Sequence, residues 1–108
     1  MNQAKPLTEA QQIAGAILDQ LGARRFLMMT GAREVAATTK GLQFKLPANF
    51  ASAGINMIRI ELNEMDTYDV IAGRWARFDF TEKAREDGIY CKDLQRSFTR
   101  LTGLDTHL

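Results

Sequence analysis

The chain has 108 residues, 45% hydrophobic and 25% charged, a composition that suits one globular domain and argues against disorder. Its formal net charge of +1 supplies no overall field to recruit or repel nucleic acid. A lone cysteine, Cys91, excludes an intrachain disulfide and a cysteine-built zinc site, and no apolar run approaches the roughly 20 residues of a membrane helix. The N-terminus lacks the apolar core of a signal peptide, so the expected compartment is the cytosol. Charge is uneven along the chain: residues 1–54 carry six Lys/Arg against three acids, and residues 55–108 carry eight against ten. The first half is mildly basic, which is compatible with an anion-binding face.

Residues 1–7 read as a flexible leader. Thr8 opens a helix, with Gln11 as its capping-box partner. Ala10, Ile13, Ala14, Ile17, Leu18 and Leu21 form one apolar stripe, and Gly22 supplies the stop. The apolar run 26–30 reads as a strand covered on both faces, followed by a Gly31-Ala32 turn and a weak strand over 34–39. After Lys40-Gly41, the residues Leu42, Phe44 and Leu46 alternate with Gln43 and Lys45 until Pro47 ends the strand. Residues 47–53 form a surface loop carrying Phe50.

From Gly54 to Phe80 a period of two recurs. Asn56, Ile58, Ile60 and Leu62 point one way while Met57, Arg59 and Glu61 point the other. Tyr68 to Ile71 continues the pattern, as do Ala76, Phe78 and Phe80, with a turn over 63–66 and a second reversal at Gly73. Residues 81–87 read as a charged connection, and a final helix over 89–102 carries Tyr90, Leu94, Phe98 and Leu101 before Gly103 stops it. Leu104 and Leu108 offer a tail that packs back. The expected architecture over residues 1–108 is a single α+β domain. It comprises an antiparallel β-meander of five to six short strands, with an N-terminal and a C-terminal helix on one face and a wetter opposite face.

No residue set points to catalysis, to a metal or to a cofactor. His107 is penultimate and reads as a solvated terminal histidine, and Cys91 reads as a structural cysteine at the start of the last helix. Asp66 and Asp69 sit at spacing three around a turn, so they do not share a strand face. Asp66 reads as the cap of that turn, and Asp69 as a cross-strand partner for Arg59 or Arg74. Thr30-Gly31-Ala32-Arg33 has the outline of an anion nest but no P-loop spacing, and its glycine is explained by the turn. An enzyme would need Asp66, Tyr68, Asp69 and an arginine gathered in one pocket.

The usable surface is a set of cations with one indole: Arg59, Arg74, Trp75 and Arg77, with Arg33 and Lys45 nearby. On one sheet face they suit stacking and phosphate contact with single-stranded nucleic acid. They equally suit a protein interface, where Trp and Arg are common anchors. In the competing arrangement Trp75 is core, and the arginines pair with Glu61, Asp69 and Asp79.

Several strings together resemble a family of small uncharacterised proteins of bacteriophages, prophages and related mobile elements. They are Gly22-Ala-Arg-Arg-Phe26, Met29-Thr-Gly-Ala32, Gly41-Leu-Gln-Phe-Lys-Leu-Pro47, Gly54-Ile-Asn56, Asp66-Thr-Tyr-Asp69 and the ending from Phe98 to Leu108. The resemblance implies a phage or mobile-element setting in a bacterial cytosol, and it brings no activity and no site residue with it. The expectation is a small non-enzymatic accessory protein that binds nucleic acid through a basic sheet face. The alternative is a module that binds itself or a host or phage protein.

Overall fold

The structure, a computed structural model, describes residues 8–47 and 51–104. The leader, Phe50, His107 and Leu108 lie outside the described residues. Thr8 caps α1 (Glu9–Leu21) as its sequence predicts. Its hydroxyl accepts from the Gln11 amide at 3.1 Å, and the Gln11 side chain accepts from the Thr8 amide at 3.0 Å. Gly22 ends the helix at φ 118°, a left-handed conformation open to glycine at little cost.

The run expected as a strand at 26–30 is instead the second half of a short helix, α2 (Ala23–Thr30). A brief apolar run has no period that separates a buried strand from a helix, and here Leu27, Met28 and Met29 are good helix formers. Phe26 and Thr30 are buried one turn apart, and the Thr30 hydroxyl donates to the Phe26 carbonyl at 2.8 Å. Met28 lies exposed on the opposite side, so the run is covered on one face only. Gly31 ends α2, which makes the following turn a helix exit and removes the anion-nest geometry of a strand followed by glycine.

Five antiparallel strands follow in simple order as one open sheet: β1 (Arg33–Ala37), β2 (Gly41–Lys45), β3 (Met57–Leu62), β4 (Tyr68–Ala76) and β5 (Asp79–Ile89). Two of these correct the sequence reading. Gly73 is no reversal but lies inside β4, and the expected connection over 81–87 is part of β5. Strand β5 is an edge strand, and its dense charge blunts unwanted pairing. A 3-10 turn (Cys91–Asp93) leads into α3 (Leu94–Thr102), a helix that begins later than expected. Tyr90 is therefore an exposed residue before the helix, and Cys91 is exposed rather than structural.

Helices α1 and α3 pack against the sheet, and α1 also touches α2 and α3. The covered sheet face presents Leu42 and Phe44 from β2, Ile58 and Ile60 from β3, and Val70 and Ala72 from β4. Phe26 of α2 meets Phe44 edge-on with centroids 5.4 Å apart, and meets Phe98 of α3 at 5.0 Å. On the same side, Arg100 of α3 grips Glu86 of β5, with N–O distances of 2.6 and 2.9 Å. Among the described residues no helix is long and apolar enough to cross a membrane.

Phe26→Ala should cost about 3–5 kcal/mol in urea unfolding, because it removes both edge-on contacts and leaves a cavity at a fully buried site. The Arg100 guanidinium holds the Glu86 carboxyl below its ordinary value. A carboxylate depressed in the folded state contributes stability above its unfolded pKa and loses it as pH falls through the folded one. Wild type should therefore be more stable than Glu86→Gln at neutral pH, and the two unfolding curves should converge in acid.

Candidate functional site

The sheet face turned away from the helices carries alternate residues of each strand: Gln43 and Lys45, then Met57, Arg59 and Glu61, then Ile71, Gly73 and Trp75. Met57 and Ile71 are buried there yet stand apart from the main core cluster. They form the floor of a second, smaller apolar patch.

Gly73 organises that patch. A Cβ at this position would lie 2.3 Å from the Thr81 carbonyl and 2.6 Å from the Phe80 ring. The missing side chain lets Phe80 fold across the strand, as an aromatic commonly covers a glycine within a sheet. The Phe80 ring then reaches Arg59, whose guanidinium carbon stands 4.4 Å from the ring centroid. Arg59 has no carboxylate partner among the described residues, and its Nε is buried without a hydrogen-bond acceptor.

Trp75 is fixed beside this pair. It lies directly opposite Phe80 in the β4–β5 ladder and is half-buried. Strand β3 stops short of it, and the Asn56 side chain takes over the pairing. Asn56 Oδ1 accepts from the Trp75 amide at 2.7 Å, and its Nδ2 donates to the Trp75 carbonyl at 3.0 Å. The Trp75 backbone is thus held on its β3 side beyond the last β3–β4 pair.

A groove of about 520 Å³ runs between β1 and Trp75, lined by Glu34, Val35, Ala36, Gln43, Lys45, Met57, Arg59 and Trp75. A second, of about 340 Å³, shares Gln43 and Arg59 and extends to Lys40, Thr38, Thr39 and Glu61. Together they trace a shallow path along β2 and β3 with cations at both ends and Arg59 midway. Lys45 is ion-paired to Glu34 at 3.4 Å, so its charge is partly answered.

The expected set divides. Arg33 pairs opposite Lys45 at the end of β1, and Lys45, Arg59 and Trp75 share the open face. Arg74 belongs to the opposite face of β4, where its Nη1 donates to the Gly54 carbonyl at 3.2 Å. Arg77 lies in the β4–β5 turn, so it does not share the strand parity of Trp75. None of Arg59, Arg74 and Arg77 forms an ion pair among the described residues, which displaces the expected pairing with Glu61, Asp69 and Asp79. Asp69 accepts instead from Asn63 Nδ2 at 3.0 Å and from the Gly88 amide at 3.2 Å.

The turn after β3 is capped by Asn63, not by Asp66. Asn63 Oδ1 accepts from the Met65 amide at 2.9 Å because Asn63 occupies the first turn position, from which a short side chain reaches two residues on. Tyr68 packs in the helix-side core, where burial pushes its phenol pKa up. Asp69, its neighbour in an extended strand, points to the other side, and Asp66 is exposed in the turn, so the three are not gathered. No cluster of potential metal ligands occurs among the described residues.

Sequence reasoning missed Phe80, Gln43 and Lys40. Phe80 was already legible as a strand aromatic, but pairing it with Trp75 required the reversal to fall at Arg77-Phe78 instead of Gly73. Compared with models of known families, with curated proteins and with solved structures, neither the sequence nor the fold finds a match.

Asn56→Ala removes both bonds that hold Trp75. The Trp75 amide should exchange faster with solvent, indole emission should shift to longer wavelength, and stability should fall by about 1–3 kcal/mol.

Proposed function

We propose that the open sheet face binds single-stranded nucleic acid, with Trp75 and Phe80 as the stacking surface and Arg59, Lys45 and Arg33 as the phosphate contacts. The observation that carries this reading is Arg59: a guanidinium lying over an aromatic ring, without an ion pair among the described residues and lining an open groove. Such a group keeps planar donors for phosphate oxygens or base edges while its ring partner fixes its orientation. Trp75 supplies a π-face beside it, which every base can use without regard to sequence.

The proposal is of a non-enzymatic binding module, with Tyr68 and Asp69 on opposite faces of β4. A phage or mobile-element setting in a bacterial cytosol, as the resemblance implies, belongs to the same proposal. Lys40 extends the cationic path beyond the residues expected from sequence.

Filter-binding titrations with short single-stranded DNA and RNA across a salt series test it. Affinity should fall as salt rises, and Arg59→Gln and Lys45→Gln should each lower the salt slope by about 0.7, the value of one phosphate contact on a single strand. Circular dichroism should show both variants folded, since the Lys45–Glu34 pair is partly exposed and Arg59 makes no ion pair. Absence of any salt-sensitive association with either nucleic acid would overturn the proposal.

A further inference from the structure

Past the end of β3, the β4–β5 hairpin continues through the pairs Arg74–Thr81, Trp75–Phe80 and Ala76–Asp79, and then turns at Arg77-Phe78. Both turn residues have positive φ, 54° and 63°. A two-residue hairpin of this hand favours Asn-Gly, because a Cβ is strained in that conformation. This chain instead places there an arginine and a phenylalanine, and the phenylalanine is 93% exposed. Local stability is served neither by the backbone conformation nor by leaving an aromatic in water, and costs of this kind cluster where a site needs a particular side chain presented.

The position suits a definite ligand. The tip lies one ladder pair beyond Trp75–Phe80, so Phe78 stands two residues before the ring that packs on Arg59. Arg77, next to it in the turn, has no ion-pair partner among the described residues, while Arg74 is turned to the other face and bonded to the Gly54 carbonyl. An exposed ring beside an arginine with no ion-pair partner among the described residues, continuous in the ladder with Trp75 and Phe80, matches a polyanion whose bases stack.

We infer that Phe78 is a further contact for single-stranded nucleic acid, stacking on or wedging beside a base while Arg77 takes the adjoining phosphate. This rests on the sheet-face reading and lengthens its binding track by the hairpin tip. Apolar wedges that part neighbouring bases are an established use of such residues.

The test uses the full chain and a short single-stranded oligonucleotide carrying 2-aminopurine, titrated over a salt series. Phe78→Ala should weaken binding by about 5- to 100-fold and reduce the quenching of the probe, leaving the salt slope unchanged. Phe78→Trp should restore both, and Arg77→Gln should lower the salt slope by about 0.7. The double variant R77N/F78G should raise the melting temperature while weakening binding, a combination that a purely structural tip would not give. If wild type binds and Phe78→Ala binds equally well, the tip contact is overturned and the sheet-face reading stands. If wild type binds no oligonucleotide, both fall. If Phe78→Ala leaves oligonucleotide binding intact but abolishes association with phosphatidylserine-containing vesicles, the tip serves a lipid surface and the inference is overturned.

Discussion

Phe26, Phe44 and Phe98 come from α2, β2 and α3, and their mutual contact decides which side of the sheet is covered. Each ring is fully buried, so the three elements cannot separate without exposing large apolar surface. That contact commits α3 to the same side as α1, with α2 wedged at one end. No helix among the described residues is left to cover the opposite face. The sheet must therefore shield that face with its own side chains. It does so locally: Met57 and Ile71 are buried there, close to Trp75, Phe80 and Arg59. Arginine is suited to this role because its stem covers apolar surface while its head stays polar.

A glycine within a strand weakens pairing, and here the loss is offset by what the vacancy admits. Phe80 occupies the space above Gly73 and gives Arg59 a ring where an ordinary sheet would give it a carboxylate. The distinction matters chemically. A bidentate carboxylate consumes the guanidinium's donors, whereas a ring engages its π-face and leaves the donor edge available. Several acids of the sheet are engaged with other partners: Glu34 with Lys45, Glu82 and Asp87 with Arg85, and Asp69 with Asn63 and the Gly88 amide. Glu61 shares the face of Arg59 without forming an ion pair with it. Among the described residues Arg59 has no ion pair, and the strand register sets Gln43 and Ile71 directly beside it.

The period-two pattern from Met57 to Leu62 made the strand and both of its faces legible, because alternation maps directly onto the pleat. The helix ends at Thr8, Gly22 and Gly103 were equally readable, each through a side chain or a φ angle that only some residues tolerate. Failures arose where one residue type serves two structures. Gly73 has the composition of a turn, but it is needed for close approach of the Phe80 ring and the Thr81 carbonyl, a tertiary demand invisible along the chain. The true reversal, Arg77-Phe78, carries no turn residue at all, so local chemistry pointed to the wrong place. That single displacement hid the Trp75–Phe80 pair, placed Arg77 on a strand face, and turned β5 into a connection. Phe26 to Thr30 failed for a different reason: four apolar residues and a threonine are too few to show a period, and Phe26 packs against Phe44 and Phe98 from a helix.

The balance of charge bears on how such a face would work. With a net charge of +1 and acids interleaved among its bases, the protein generates little long-range attraction for a polyanion. Encounter would be slow relative to strongly basic binders. Affinity would then depend on contact, chiefly on stacking at rigid aromatic positions, and rigidity is what the fold supplies. Asn56 fixes Trp75 through two backbone bonds, Gly73 seats Phe80, and the ladder joins the two rings. A surface ordered before binding loses less entropy on binding, so under this proposal a weakly charged face would favour a single strand, whose bases are free to stack on it, over a duplex.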